Sequence, residues 1–111
     1  MGREAGPKFF LKGAYMTKNF RTYNLAQEFF KQCQKLKLKS YLRDQLDRAS
    51  LSVCLNLVEG SAKTSEKERL RFYLISYASF KECQSILSLI NQDKIVEQYD
   101  LLGAFLYRLS H

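Results

Sequence analysis

The side chains best suited to chemistry lie in one stretch of the chain, between residues 45 and 59. At the 100° per residue of an α-helix, five polar side chains in this stretch fall within a stripe about 80° wide. These residues are Gln45, Arg48, Ser52, Asn56 and Glu59. An arginine can hold a carboxylate or a phosphate, and a glutamate shielded from water can act as a base. The stripe therefore allows two hypotheses, a ligand or catalytic pocket and a structural polar seam between helices.

The apolar residues on both sides of the stripe favour the seam. One side carries Leu42, Leu46, Ala49, Val53 and Leu57, and the other carries Leu51, Leu55 and Val58. Polar groups bordered in this way are expected at a contact between helices or subunits, where they hydrogen-bond to each other. We expect the following helix to contribute Glu68, Arg71 and Glu82 to the same seam.

The chain lacks the usual signatures of an active site. It has no nucleophile with a partnered base, no glycine-rich phosphate loop and no clustered metal-ligand spacing. The one histidine is His111, which argues against a histidine-based triad or a site with several histidine ligands. We therefore expect no catalytic residue, no enzymatic activity, no metal and no cofactor.

The excess of positive over negative charge is confined to one part of the chain. Residues 1–39 hold nine basic and two acidic residues, which accounts for the whole net charge of +7. Such an excess suits phosphates, acidic lipid headgroups or an acidic protein, although it also serves solubility alone. Lys31 and Lys35 fall on the helix face opposite Phe29, Cys33 and Leu36, so they should point into solvent. With Lys37 and Lys39 they form the predicted nucleic-acid-binding surface.

Apolar residues that recur at intervals of three and four predict four helices that position these groups. The first spans about residues 23–37, and the second begins near Ser40 and ends at Gly60, which suits a left-handed C-terminal position. The third follows a capping box of Ser65 and Glu68 and runs to about residue 90. Residues 91–93 interrupt the helical pattern before a fourth helix that runs to the C-terminus.

Short connections between four helices predict an all-α fold, an up-down antiparallel four-helix bundle. Residues 1–19 contain three of the five glycines and the only proline, so we expect a mobile N-terminal tail followed by one domain over residues 20–111. The second helix is apolar on two faces, whereas a bundle core needs one. The extra face predicts a homo-oligomer.

The cysteines and the hydropathy suggest the environment of the protein. Cys33, Cys54 and Cys83 are widely spaced in apolar helical stretches, which favours buried, reduced thiols over disulfides or metal ligands. No stretch reaches the ~18 apolar residues that would span a bilayer. We therefore expect a cytoplasmic protein without a membrane partner.

The polar residues of the second and third helices also carry a family resemblance. The runs are Gln45-Leu46-Asp47-Arg48-Ala49-Ser50-Leu51-Ser52, Asn56-Leu57-Val58-Glu59-Gly60-Ser61, Ser65-Glu66-Lys67-Glu68 and Arg71-Phe72, followed by Ser79 and Glu82. Over about residues 20–109 the chain resembles the four-helix-bundle proteins encoded in intervening sequences of bacterial 23S ribosomal RNA genes. It departs from the family pattern at Lys63, where arginine is usual, and at Ala78, where glycine is usual.

This family is similar in fold to the accessory variability determinant protein of diversity-generating retroelements. That protein is a basic bundle that forms a pentameric ring and assists a reverse transcriptase through nucleic-acid and protein contacts. The resemblance thus implies a ring-like homo-oligomer, a homopentamer, with RNA or DNA binding and a reverse transcriptase as a further partner. It also adds Lys63 to the nucleic-acid-binding set, although a lysine lacks the bidentate fork of an arginine.

Two functions follow from these observations. The first is a non-enzymatic oligomeric accessory protein that binds RNA or DNA through its basic surface. The alternative is a structural scaffold that binds another protein, such as a reverse transcriptase, without touching nucleic acid. Tyr73, Tyr77 and Phe80 are expected to be core or interface aromatics rather than platforms for stacked bases.

Overall fold

The computed structural model describes residues 16–111, with side chains from residue 20 onward. Over these residues the fold is all-α, as predicted, and contains five helices and no strand. The helices are α1 (Met16–Gln34), α2 (Ser40–Ala62), α3 (Glu66–Leu89), α4 (Asp93–Gln98) and α5 (Asp100–Ser110). Of the expected tail over residues 1–19, residues 1–15 lie outside the described part of the chain. Residues 16–19 belong to α1.

The long helices run alternately up and down. Contacts between α2 and α3 join residue 45 to 82, 52 to 79 and 53 to 76, so one number rises as the other falls. Contacts between α1 and α5 follow the same rule, since Phe29 meets Tyr99 and Arg21 meets Phe105. The polar residues of α2 are therefore held against the matching turns of α3.

Phe29 of α1 lies at the centre of the core. Its ring makes edge-to-face contacts with Phe80 of α3, at 5.0 Å between centroids, and with Tyr99, at 5.3 Å. Such aromatic pairs add specific geometry to the burial of large apolar area. Fully buried aliphatic residues from three further helices belong to the same core, namely Leu46, Val53, Leu87, Leu102 and Leu106.

The three cysteines are buried and free, as predicted. Cys33, Cys54 and Cys83 come from α1, α2 and α3, respectively. Burial raises the pKa of Cys33 and of Cys54 to about 12, and it raises the pKa of Cys83 strongly as well. The reactive form of a cysteine is its thiolate anion, so these side chains are chemically inert at neutral pH.

The predicted bounds of α3 are confirmed, together with the half of its capping box in which Ser65 is the acceptor. At its start the backbone N–H of Glu68 donates to Ser65 Oγ at 3.3 Å. At its end Asn91 adopts a left-handed conformation with φ of 61°. The N–H groups of Asn91 and Gln92 donate back to the carbonyl groups of Ser88 and Leu87, at 3.1 and 2.8 Å. This pair of bonds is the Schellman motif, which satisfies the last carbonyls of a helix.

The predicted role of Gly60 is wrong. Gly60 lies inside α2, which continues to Ala62, and it is buried against the ring of Tyr73. A Cβ atom at this position would lie 2.6 Å from Tyr73 Cε1, so the glycine permits close approach of α3 rather than ending α2. The predicted start of α2 at Ser40 is confirmed. The N-cap position is occupied by Lys39 rather than by Ser40, and Lys39 makes no side-chain cap bond.

The predicted fourth helix is two helices. The helical conformation is interrupted at Tyr99, with φ of −109° and ψ of 26°, between α4 and α5. Tyr99 is buried against Phe29, whereas α4 has no buried residue. The interruption therefore coincides with the point where the chain passes from the surface into the core.

Candidate functional site

Three of the predicted seam residues form one hydrogen-bonded network between α2 and α3. Gln45 donates through Nε2 to Glu82 Oε2 at 3.2 Å. Arg48 donates to Gln45 Oε1 at 2.8 Å and lies 3.5 Å from the Glu82 carboxylate. The glutamine thus bridges a cation on its own helix and an anion on the next helix.

A second polar layer lies along the same contact. The hydroxyl groups of Ser52 and Ser79 are 2.7 Å apart. Asn56 donates to the carbonyl and the hydroxyl of Ser52, at 2.9 and 3.0 Å. Deeper in the contact, Ser76 Oγ donates to the carbonyl of Val53 at 2.8 Å and is fully buried. Small hydroxyl side chains here let the two helices lie close while every polar atom named has a partner.

Ser76 and Ser79 were absent from the predicted seam. The signal for Ser79 was available, because it lies three residues before Glu82 and therefore on the same helix face. Ser76 had no such signal, since its face also carries core residues such as Phe80 and Cys83. Its partner is a backbone carbonyl of another helix, which no side-chain pattern reveals.

Three residues predicted for the seam lie outside its network. Glu59 pairs with Lys63 one turn later, at 3.9 Å. Arg71 places its guanidinium 5.1 Å from the ring centroid of Phe72, and Glu68 is exposed in the first turn of α3. Partners close in sequence thus engage Glu59 and Arg71 at the end of the α2–α3 pair.

The seam lies at the surface of the single chain. The side chains of Arg48 and Glu82 are 62% and 40% exposed. Exposed aliphatic residues flank them, with Leu51 and Leu55 on α2 and Ile75 on α3 at 43%, 53% and 40% exposure. We call the surface formed by Arg48, Ser52 and Leu55 with Ile75, Ser79 and Glu82 the seam face. The Glu82 carboxylate therefore remains in contact with water in the single chain while it pairs with Arg48.

Four of the predicted nucleic-acid-binding lysines lie at one end of the helices. Lys31 is in the last turn of α1, and Lys35, Lys37 and Lys39 lie in or beside the connection to α2. All four are exposed, whereas the intervening Leu36 and Leu38 pack against the core. Among the residues that the structure describes, none of the four has an acidic partner within 4.0 Å. We call these four residues the lysine end.

Arg43 fixes the backbone of the lysine end, and the sequence analysis did not single it out. Its guanidinium donates to the carbonyls of Cys33 and Leu36, at 3.0 and 2.6 Å, and to Asp47 Oδ1 at 2.8 Å. Carbonyls at the end of a helix need such donors, and the macrodipole favours a cation there. The Arg43–Asp47 spacing of four residues was the only hint in the sequence.

Lys63 lies away from the lysine end. It follows the last residue of α2, so it is about 36 Å from Lys39 along the helix axis. Its Nζ atom lies 5.2 Å from the ring centroid of Phe72 and 3.9 Å from Glu59 Oε1. The structure therefore divides the five predicted lysines between two ends of the molecule.

The aromatic residues of α3 are placed as expected. Phe80 and Tyr73 belong to the core, with Tyr73 5% exposed. Tyr77 is half-buried and makes an edge contact with Tyr107, at 5.6 Å between centroids. Burial covers the rings of Phe80 and Tyr73, and Lys81 Nζ lies over the Tyr77 ring, 5.9 Å from its centroid.

The part of the chain that the structure describes has neither a metal-binding cluster nor a membrane-spanning helix. No group of three or more histidine, cysteine, aspartate or glutamate residues there is arranged to hold a metal ion. None of the described helices is long and apolar enough to cross a membrane.

The fold and these surfaces define a class, that of small all-helical proteins with a polar helix contact and a basic end. The family model described as 23S rRNA-intervening sequence protein matches residues 18–105. The match covers most of the chain, so the chain belongs to the 23S rRNA-intervening sequence protein family. It confirms the family that the seam residues indicated. No curated protein and no solved structure matches the chain.

Proposed function

We propose that this protein is a non-enzymatic accessory protein that forms a homo-oligomer and binds RNA or DNA through the lysine end. The observation that carries the proposal is the placement of four exposed lysines within nine residues of chain, from Lys31 to Lys39. No acidic side chain of the described residues pairs with them. Their charge is therefore available to phosphate groups.

The segment that carries these lysines is held in one conformation. Arg43 ties the carbonyls of Cys33 and Leu36 together, and Leu36 and Leu38 anchor the connection to the core. A fixed backbone spends little conformational entropy when it meets a rigid polyanion. Lysines without aromatic platforms make contacts to the nucleic-acid backbone, so binding is expected to be largely independent of sequence.

The seam face supports the oligomeric part of the proposal. It exposes Leu55 and Ile75 beside a network of polar groups, and a second copy of the chain would remove both from water. The subunit would be a four-helix bundle and the assembly a ring, pentameric by analogy with the accessory variability determinant protein. A ring repeats the lysine end several times, which converts a weak site into a multivalent surface.

The proposed setting is the cytoplasm, where three free buried thiols are stable. A reverse transcriptase is the proposed protein partner, by the same analogy. The exposed apolar residues of the seam face also suit the alternative function, in which the protein is a scaffold for another protein and makes no nucleic-acid contact.

The test reverses charge at the lysine end and at a matched position. The variant Lys31→Glu with Lys35→Glu is compared with Lys67→Glu with Arg71→Glu, which makes the same change of charge at the opposite end of the molecule. Filter binding to a structured RNA is measured at several salt concentrations. We expect the first variant to lose at least tenfold in affinity and its log–log salt slope to flatten by about two, and the second to change far less.

Three outcomes would overturn the proposal in whole or in part. Equal losses in both variants would show that net charge matters and the lysine end does not. The absence of RNA or DNA binding by the parent protein at low salt would favour the scaffold function instead. Light scattering addresses the assembly, because a mass near 13.0 kDa at micromolar concentration would exclude a homo-oligomer.

A further inference from the structure

A cavity of about 280 Å³ opens between the start of α1 and the end of α5. It is lined by Arg21, Thr22, Phe105, Arg108 and Leu109. Because the helices alternate in direction, this cavity lies at the end of the molecule opposite the lysine end. Neither the seam face nor the lysine end includes any of these residues.

The cavity combines two cations with an apolar wall. The Arg21 guanidinium lies 5.1 Å from the ring centroid of Phe105. Arg21 and Arg108 are both exposed, and neither forms an ion pair with an acidic side chain among residues 20–111. A planar guanidinium binds phosphate through two parallel hydrogen bonds, which makes a pair of arginines at a cavity mouth a site for an organic phosphate.

The size and the wall of the cavity narrow the ligand further. Small-molecule pockets have volumes of about 300 Å³ and above. This cavity is near the lower end of that range, so it suits one small molecule rather than a helix or a strand of protein. Phe105 and Leu109 supply flat and aliphatic surface, on which a nucleobase packs without sequence preference. A base that is stacked and paired in a duplex is not free to enter.

We infer that this cavity binds one unpaired nucleotide, with its phosphate between Arg21 and Arg108 and its base against Phe105 and Leu109. The inference rests on the proposed nucleic-acid-binding function and makes it more specific, because it assigns the protein to single-stranded rather than duplex segments. The lysine end supplies charge to any nucleic acid, whereas the cavity selects an unpaired base.

The first experiment uses small probes that do not need the lysine end. Adenosine monophosphate, adenosine and inorganic phosphate are each titrated into the full chain by calorimetry. We expect the monophosphate to bind at least tenfold more tightly than adenosine or phosphate, because the cavity contacts both parts. Equal affinity for the monophosphate and inorganic phosphate, or no binding of the monophosphate, would overturn the inference.

Variants assign the binding to the cavity. Arg108→Gln alone and Arg21→Gln with Arg108→Gln should weaken monophosphate binding progressively, the double variant by at least tenfold. Phe105→Leu should weaken it by about tenfold through loss of stacking. Lys67→Gln with Arg71→Gln removes the same charge elsewhere and should leave the affinity unchanged. An equal loss in that control would show general electrostatic attraction only, and circular dichroism checks that each variant is folded.

A competition experiment separates a nucleic-acid strand from a free nucleotide. A single-stranded ten-nucleotide RNA should displace the monophosphate, and a duplex of the same length should displace it at least tenfold less well. No displacement by the single strand, or equal displacement by the duplex, would overturn the assignment to unpaired strands. Lys31→Glu with Lys35→Glu should retain its affinity for the monophosphate, so failure at the cavity and failure at the lysine end give different results.

Discussion

On the inner face of α2, Leu46 and Val53 are completely buried, whereas Leu51 and Leu55 on the outer face are about half exposed. The two faces carry similar residue types on the same helix. The intrinsic preferences of these residues therefore do not explain why one face is buried and the other exposed. The difference is the presence of a neighbour, since Phe29 and the core aliphatic residues cover only one side. An aliphatic side chain in water gains nothing until a partner covers it, so the outer face is where the proposed second subunit would bind.

The serines of the α2–α3 contact show the same gradient. Ser76 is fully buried and donates to a carbonyl of α2, whereas Ser52 and Ser79, nearer the surface, bond to each other. Buried hydroxyls specify one register of the two helices because any shift would leave them without a partner. Both contacts therefore hold α2 against α3 within one chain, and the outer contact also borders the seam face that the proposed second subunit would cover.

The largest expected effect is on the inner face. Leu46→Ala should lower the free energy of unfolding by about 2 to 5 kcal/mol, because it removes buried methylene groups and leaves a cavity. Urea denaturation at several protein concentrations measures the loss. We expect the loss in Leu46→Ala to be the same at all concentrations, since the residue contacts only its own chain.

Leu55→Ala is the matched control for that prediction. At protein concentrations too low for assembly, it should change the free energy of unfolding by less than about 0.5 kcal/mol, as is usual for surface substitutions. A loss that grows with protein concentration would place Leu55 in a subunit interface. Losses of the same size in both variants at the lowest concentration would contradict the comparison between the two faces.

A somewhat smaller effect is expected where α2 approaches α3 most closely. Gly60→Ala should destabilise the fold by about 1 to 3 kcal/mol, because its Cβ would lie 2.6 Å from Tyr73 Cε1 and force a shift of the ring. Alanine is otherwise the better helix former, by about 1 kcal/mol. Gly103→Ala is the control, since its nearest contact is with Phe80 at 3.0 Å, and its melting temperature should fall less. A raised melting temperature for Gly60→Ala would show that helix preference outweighs the contact.

Gly60 also shows how far the sequence could predict this molecule. The helical period assigned the residues of the inner face of α2, because periodicity depends only on spacing along one helix. The end of α2 was misplaced, because a glycine is used both to end helices and to admit a neighbouring ring, and only the position of Tyr73 distinguishes the two. The break at Tyr99 has the same origin, since it coincides with a contact to Phe29 of a distant helix.

The candidate sites divide in the same manner. Gln45, Arg48 and Glu82 lie in contact with one another, and helix geometry places these long side chains on facing surfaces. Lys63 and the lysine end are separated by the full length of α2. The predicted length of this helix already implied that separation. The cavity between Arg21 and Arg108 joins residues from the two ends of the described chain, and no local pattern brings them together.

The pH dependence of stability tests the inner face through Cys54, whose pKa burial raises from 9.0 to about 12. Above pH 9 the unfolded chain releases this proton and the folded chain retains it, so stability falls as the pH rises toward 12. The loss for one thiol is at most about 1.4 kcal/mol per pH unit. In Cys54→Ala the decline in the free energy of unfolding between pH 8 and pH 10 should be shallower by up to that amount. An unchanged slope would mean that Cys54 is ionised equally in both states.

The smallest expected effect is on the outer face, at the ion pair between Arg48 and Glu82. Arg48 is largely exposed and Glu82 partly exposed, and exposed pairs contribute only about 0.2 to 1 kcal/mol to folding. A double-mutant cycle of Arg48→Ala and Glu82→Ala, measured by urea denaturation at low protein concentration, should give a coupling energy within that range.

The same cycle at concentrations that permit assembly should give a larger coupling energy. A second subunit that covers the seam face would remove the pair from water, so that deleting one partner would leave an unpaired buried charge. Glu59→Ala, which breaks only a pair with Lys63 within its own helix, should show no such rise with concentration. A coupling above 2 kcal/mol already at the lowest concentration would show that the pair is buried in the single chain. A coupling that stays small at every concentration would remove the seam face from any subunit interface.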